Sequence, residues 1–386
     1  MHSPTITIGH LDSGISSEHS SLRDKVRRLL VIERDGSRWE APESYDTAYH
    51  GTHTAGIICR AADELGGAGA SINFSAVALP SMHNILLNLA NGMDALLDDS
   101  VKIVCLPVGL QKQTPIFVRM VEAFRERGIL MVAPIGNKGK GSVHVPACYP
   151  EVLSVGAVHE DGRVADFSGS CCDEQGACLQ PDLMAPGVAI VSAMPDGTEQ
   201  KHSGTSMACA YVAGIAAGLL AAQPEARAAK LAEALLTTAK PLAAEQQERC
   251  RTGIVQPQAA LKYLLDKERD PLAMEAPVEP SFLQKPYQDE ALLNAYRQAE
   301  PKEPIESLVI AQRDKTSTTQ TTTEQLLQRV SAAQQRKAPS STPTTIRSFR
   351  NADMAYLKAD SSFYEELLQQ PDLFACSAVD VSVFEM

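Results

Sequence analysis

HSGTSMACAYVAG, residues 202–214, sets one serine behind a Gly-Thr pair and ahead of a run of small residues. The small residues have the character of a helix packed closely on all sides, and Gly204 allows a sharp backbone approach into it. Ser206 at the first turn then carries two readings. Serine is among the preferred helix caps, which makes it a structural stop signal. The same hydroxyl lies in the positive field of a helix N-terminus, where a developing oxyanion is also favoured. The pattern is not a GxSxG nucleophile elbow, because Ala208 stands where the second glycine belongs. The choice depends on what the rest of the chain supplies.

An activated serine needs a base within reach, a carboxylate to orient that base, and donors aimed at the oxyanion. Upstream, TITIGHLD ends in Asp12, so its carboxylate emerges at the carboxyl end of a strand, where open α/β sheets place their ligands. HGTHTAGIIC, residues 50–59, opens a helical stretch with His50 in its first turn. His53 shares that face, but the third ligand and the Glu of a zinc HExxH pattern are missing, so His53 is expected to be structural. GILMVAPIGNKGKG, residues 128–141, runs from a buried strand into a loop at Asn137. Asn137 reads either as a turn residue or as an amide donor to an oxyanion.

The surrounding pattern is α/β. TITIGHL, SINFSAVAL, VKIVCLPV, GILMVAPI and VLSVGAV are nearly continuous apolar runs, the mark of parallel strands buried on both faces. Residues 84–98 and 115–127 between them carry helical spacing. This predicts a doubly wound, mostly parallel sheet with helices on both faces over residues 1–267. Residues 268–352 turn proline- and threonine-rich and read as a linker with short helical segments, such as 289–299. Residues 353–386 read as a helix over 354–370 and a strand-like end at 378–384, with the whole extension partly disordered. These islands are expected to be too small for a core of their own and to dock on the main domain or a partner.

Net charge is −12 and no basic stripe appears, so nucleic acid is excluded as an expected partner. No basic start precedes an apolar run, and no ~18 uninterrupted apolar residues occur, so no membrane partner is expected either. The nine cysteines are scattered and mostly in apolar contexts, as small core residues of a reducing compartment. CCDEQGAC, residues 171–178, is the exception. Its thiols leave open a metal, a surface disulfide, or pairing with Cys148, although no zinc-type second ligand pair lies at the right spacing.

Taken together, DSG, HGTHTAG, GN and SGTSMA in this order resemble the subtilisin-like serine protease family. The likeness runs from about residue 5 to about residue 265. It includes YPEVLSVGAV (149–158), DFSG (166–169), LMAPGVAI (183–190) and RTGIVQPQAAL (251–261). It implies Asp12 as orienting acid, His50 as general base and Ser206 as nucleophile, with the Ser206 N–H and Asn137 as the oxyanion hole. It also assigns substrate binding to Pro107, Val108 and Gly109, where the family usually has SLG, and to Ala133, Pro134, Ile135 and Gly136. Counting back from Tyr149-Pro150 puts His144 at the base of the primary pocket. There it either narrows the pocket in favour of a polar or acidic side chain, or turns to solvent in a loop.

Several stretches depart from the family. GTSMACAYVAG carries Cys209, Ala210 and Tyr211 in place of Ser-Pro-His, which implies altered packing behind the nucleophile. HSSL, residues 19–22, puts Ser21 where calcium-binding members carry an aspartate. The usual high-affinity calcium site is therefore expected to be lost, with weak calcium binding left open and no cofactor required. ALPSMHN, residues 78–84, shortens one wall of the outer cleft. Only eleven residues precede Asp12, so an enzyme without a propeptide, acting in the cytoplasm on a peptide or protein substrate, is expected. Narrow processing is favoured over bulk degradation. The extension is expected to dock on the enzyme as an inhibitor, recruit a substrate, or be cut by the enzyme itself. The rival reading is a silent protease-like scaffold that binds a partner.

Overall fold

The computed structural model describes residues 5–33, 35–42, 44–65, 71–81, 84–111, 114–172, 178–266, 287–299, 304–312, 322–337, 345–349, 351–378 and 384–385. Its frame is a nine-stranded sheet. From one edge to the other the strands are Gly253–Ile254, Leu183–Pro186, Leu153–Val158, Leu130–Pro134, Ile103–Cys105, Thr5–Asp12, Ser71–Ala78, Val26–Ile32 and Arg38–Glu40. Every neighbouring pair is parallel except the last. All five expected strands are in this sheet.

Alternation along Thr5–Asp12 explains the two layers. Ile6 and Ile8 point to one side, into a core with helices α1 (His50–Asp63), α4 (Thr205–Ala222), α5 (Ala228–Thr237) and α6 (Pro257–Leu265). Leu11 points to the other, into a core with α2 (Ile85–Asp98) and α3 (Val118–Glu126). The expected helices at 84–98 and 115–127 are therefore α2 and α3, with α3 starting three residues later behind the turn at Pro115–Val118.

α4 is apolar and long enough to cross a membrane by composition, yet 89% of it is buried in the core. Small residues let it lie against α1: a Cβ on Gly214 would come within 2.4 Å of the Ile58 carbonyl oxygen. Its N-cap is Gly204, which corrects the reading of Ser206 as a cap. Ser206 is the second helical residue, so its hydroxyl is free to point into the cleft instead of closing back on the helix.

The chain beyond the main domain has more structure than its composition implies. Tyr287–Gln288, Leu373–Ala378, Ile305–Ala311, Ala355–Ala359 and Thr345–Ser348 form a second sheet, in that order. Strands on both sides of residue 352 pair in it, with Ser348 opposite Ala355. Helices α7 (Glu290–Gln298), α8 (Thr323–Lys337) and α9 (Ser361–Leu367) accompany it. Leu292, Val309, Leu326, Leu357, Phe363 and Tyr364 make a core of its own, which corrects the expectation that these segments are too small for one. The expected helix over 354–370 is a strand followed by α9, because Ala355, Leu357 and Ala359 alternate into that core before Asp360 caps the helix through Phe363 N–H.

The opposite face of the second sheet lies on the main domain. Leu308, Ile310 and Tyr356 join the core that contains Phe117, Met120 and Phe124. Arg119 donates to the Ala311 carbonyl at 3.2 Å, and Asn351 donates to Asp94 at 2.9 Å and to Asp98 at 3.0 Å. Six cysteines (Cys59, Cys105, Cys148, Cys209, Cys250 and Cys376) are buried free thiols. Cys148 is among these, whereas the side chains of Cys171, Cys172 and Cys178 lie outside the described residues, as do residues 268–286, 300–303, 313–321 and 338–344 of the expected linker.

Candidate active site

The Thr5–Asp12 strand delivers Asp12 at its carboxyl end and α1 presents His50 at its first residue. The His50 Nδ1–H donates to Asp12, 2.7 Å from Oδ1 and 2.9 Å from Oδ2. Asp12 is fully buried and also accepts from Ser13 N–H at 2.6 Å and Thr54 Oγ1 at 3.0 Å. Burial alone would raise the Asp12 pKa, but the charge and hydrogen bond of His50 hold it below the ordinary carboxylate value. For His50, burial alone would lower the pKa, but the Asp12 charge and hydrogen bond raise it above 6.5. This fixes the Nε2 lone pair of His50 on the side away from Asp12, where a general base needs it.

The hydroxyl of Ser206, 4% exposed, donates to the Pro107 carbonyl at 2.8 Å. Among the described residues no hydrogen bond joins Ser206 to His50. Asp12 and His50 are therefore paired, while the Ser206 hydroxyl rests on the segment that follows the Ile103–Cys105 strand.

Asn137 stands beside the start of α4. Its Oδ1 accepts from the Thr205 N–H and the Thr205 hydroxyl, both at 2.9 Å. With its oxygen anchored at the start of α4, the amide Nδ2 is turned the other way as a donor. The Thr205 hydroxyl in turn accepts from Gly136 N–H at 3.3 Å, which ties the loop after Leu130–Pro134 to the nucleophile helix.

Pro107, Val108 and Gly109 run along one wall. Leu110 exchanges both main-chain hydrogen bonds with Val145, at 3.0 and 2.8 Å. Along an extended strand the next residue's groups face the other way, so those of Gly109 face the cleft. That side is paired here: the backbone of Phe384–Glu385 lies antiparallel to Gly109–Leu110, Glu385 opposite Gly109. Ile135 donates to Val155 and accepts from His144 N–H, each at 2.9 Å, so 133–136 forms the second wall. His144 is 2% exposed and its ring fills the space between the walls. A Cβ on Gly136 would come within 2.5 Å of that ring, and one on Gly109 within 3.0 Å of the His144 Cβ. The alternative of a solvent-facing His144 is excluded by this burial.

His53 is buried and donates through Nε2 to the Gln200 carbonyl at 3.1 Å. Burial lowers its pKa to about 4, which fits the structural role expected of it. Among the described residues no group of three or more His, Cys, Asp or Glu side chains is arranged to hold a metal.

Four residues that the sequence did not single out hold the site. Asp46 accepts from Thr52 N–H at 2.9 Å, so it caps α1 from outside, and from Ser13 Oγ at 2.7 Å. Thr205 orients Asn137, and Thr54 and His10 lie behind Asp12. The signals were present: His10 is two residues from Asp12 on a strand and Thr54 four from His50 on a helix, hence on the same faces.

A family model described as the Subtilase family matches residues 3–261. Subtilisin amylosacchariticus of Bacillus subtilis subsp. amylosacchariticus is 30% identical over 242 residues, covering 61% of this chain and 60% of its own. M-protease of Shouchella clausii (strain KSM-K16) is 32% identical over 216 residues, covering 55% of this chain and 53% of its own. The chain therefore spans between about half and 60% of the length of these two curated relatives. Among solved structures, the prenylagaramide maturation protease PagA superposes with a TM-score of 0.54 at 26% identity, covering 67% of this chain and 93% of that one. The self-cleaved protease domain of PatA gives 0.52 at 27% identity, covering 67% and 96%. With the Asp, His and Ser motifs in family order on the family's α/β sheet, the chain belongs to the subtilase family of serine peptidases.

Proposed function

We propose that this subtilase is an active serine endopeptidase that cuts peptide bonds through an acyl-enzyme. The observation that carries this is the Asp12–His50 pair at 2.7 Å, beside an Asn137 anchored through Thr205 to the first turn of the helix that carries Ser206. His50 Nε2 takes the Ser206 proton as Oγ bonds to the scissile carbonyl carbon. The imidazolium is stabilised by Asp12, while the Ser206 N–H and Asn137 Nδ2 hold the oxyanion. The His50 proton passes to the leaving amine, and water, deprotonated by the same imidazole, releases the acid. Every group in this sequence belongs to the chain, so no cofactor is required. The loss of a carboxylate at Ser21, whose hydroxyl pairs with His19 at 2.7 Å, argues against the usual tight calcium site.

The substrate is a peptide or protein laid antiparallel along Gly109, and a narrow maturation role is favoured over bulk digestion. PagA is described as a maturation protease, and the filled primary pocket in this chain favours selectivity. The C-terminal segment fits the same strand as an internal ligand, since Phe384–Glu385 runs in the direction a substrate would take. The net charge of −12 argues against nucleic acid, the burial of α4 against a membrane, and the six free thiols favour the cytoplasm.

Labelling with a fluorophosphonate probe tests the chemistry. Wild-type protein is expected to gain one adduct at Ser206, which Ser206→Ala lacks. A folded wild type that stays unmodified would overturn the proposal in favour of a silent scaffold.

A further inference from the structure

We infer that His10 is a positioning residue: acting through Thr54, it fixes the Asp12 carboxylate that orients His50. The inference rests on the peptidase reading above and adds a layer behind the triad.

His10 and Asp12 project from the same face of one strand, and His10 is fully buried there. Its Nε2 lies 2.9 Å from Thr54 Oγ1 and 3.8 Å from Asp12 Oδ2. Thr54 Oγ1 is in turn 3.0 Å from Asp12 Oδ2 and 3.1 Å from the Gly51 carbonyl. His10 Nδ1 has no hydrogen-bond partner among the described residues. The ring edge meets Phe74 at a centroid distance of 5.8 Å.

This arrangement selects the tautomer. A buried N–H without an acceptor is rarer and more costly than an unused lone pair, so the proton belongs on Nε2. The N–H then donates to Thr54 and turns its positive end to Asp12. Because the threonine oxygen is occupied as an acceptor from that side, its single proton is directed onward, to Asp12 or Gly51. His10 donates to Thr54 and Thr54 to Asp12 Oδ2, while His50 donates to the same carboxylate from the other side, so two donor lines converge on Asp12 and each limits how it can turn.

Burial, with the nearby His50, keeps His10 neutral against the carboxylates that face it. Asp12 on its own strand, His50 on α1 and Asp46 before α1 face it, and Cys105 is its partner across the sheet. Burial lowers the His10 pKa, opposed by Asp12. A protonated His10 would compete with His50 for Asp12. A neutral one supplies a dipole without a rival charge.

The test uses the full chain carrying His10→Val, His10→Gln, Thr54→Val, or His10→Val with Thr54→Val. The rate of Ser206 modification by a fluorophosphonate is measured against pH, beside the downfield proton resonance of the Asp12–His50 hydrogen bond and the melting transition. With melting unchanged, His10→Val is expected to slow modification roughly tenfold, the scale of losing one buried hydrogen bond behind Asp12. It should also move the pH midpoint and the downfield proton. Glutamine, which retains a donor, should recover most of the rate, and the double variant should be no slower than the slower single one. Wild-type rate, midpoint and proton in His10→Val would overturn the inference, as would failure of glutamine to recover the rate or losses that multiply in the double variant. If the wild type is not modified at all, the peptidase reading fails, and the downfield proton alone decides: unmoved by His10→Val, it overturns the positioning role too.

Discussion

Ser206 Oγ donates to the Pro107 carbonyl oxygen at 2.8 Å, so the proposed nucleophile rests on the proposed substrate wall. A peptide laid antiparallel along that wall brings its own N–H to the Pro107 carbonyl. The serine then loses its acceptor and turns to His50. The resting bond has a net worth of about 1 kcal/mol, so its release contributes roughly fivefold to the rate. Methylating the amide nitrogen of the residue before the scissile bond is therefore expected to lower kcat as well as raise KM. Steady-state kinetics on paired peptides reads this, and an effect on KM alone would refute it.

The pH dependence follows from the raised pKa of His50. The base must be neutral to accept the Ser206 proton, and the pKa above 6.5 means that it stays protonated to higher pH than a free histidine. Activity is present above that pKa and falls as pH drops through it. The acidic limb of kcat/KM should lie above 6.5, and Asp12→Asn should remove the charge that raises it. A limb below 6.5 in the wild type contradicts the Asp12–His50 geometry.

In the proposed oxyanion hole Asn137 is the donor and Thr205 its support. Removing the amide by Asn137→Ala should lower kcat roughly 10²–10³-fold with little change in KM, the magnitude known for the corresponding donor of subtilisin. Thr205→Val leaves the backbone N–H on Asn137 Oδ1 and removes only the hydroxyl, so a smaller loss is expected. Single-turnover kinetics of both variants separates the roles. Equal losses would mean that Thr205 has a part beyond holding Asn137.

Much of this site was legible because its chemistry is punctuated by turns. Asp12, His50, Asn137 and Ser206 each follow a strand or loop and open a turn or helix, where sequence pattern is strongest. The supporting residues were harder to see. His10, Thr54, Asp46 and Thr205 resemble ordinary strand, helix and loop positions, and their partners lie on other elements or, for Thr205, 68 residues away. The second sheet was obscured by composition. The proline- and threonine-rich stretches around it hide short strands such as Ala355–Ala359, and pairing between Ser348 and Ala355 depends on a turn that carries no strong signal.

His144 is buried between Gly109 and Gly136, where the proposed primary pocket lies. A pocket so filled has room for small side chains, and the imidazole favours polar or acidic ones over large apolar groups. Replacing it by His144→Gly opens the space between the two glycines. Profiling on a peptide library should then show the preferred residue before the scissile bond shift from small or polar to large and apolar, by at least tenfold in relative kcat/KM, about 1.4 kcal/mol. An unchanged preference would remove His144 from the specificity site.

Phe384–Glu385 pairs with Gly109–Leu110, and if Gly109 is the substrate edge, as proposed, the chain competes with substrate for it. A tethered segment acts at an effective concentration of about a millimolar when its linker spans the distance. A free peptide at micromolar concentration has to displace it. A chain ending at Ala378 keeps the Leu373–Ala378 strand, and so keeps the second sheet, while removing the competitor. It should show a severalfold lower KM for peptides with kcat little changed, and adding the excised peptide should reverse the gain competitively. Loss of activity in the truncated chain would instead assign the segment to substrate recruitment. Mass spectrometry of the wild type beside Ser206→Ala checks the third role, because shortening seen only with the serine present would make the segment a substrate of the enzyme that carries it.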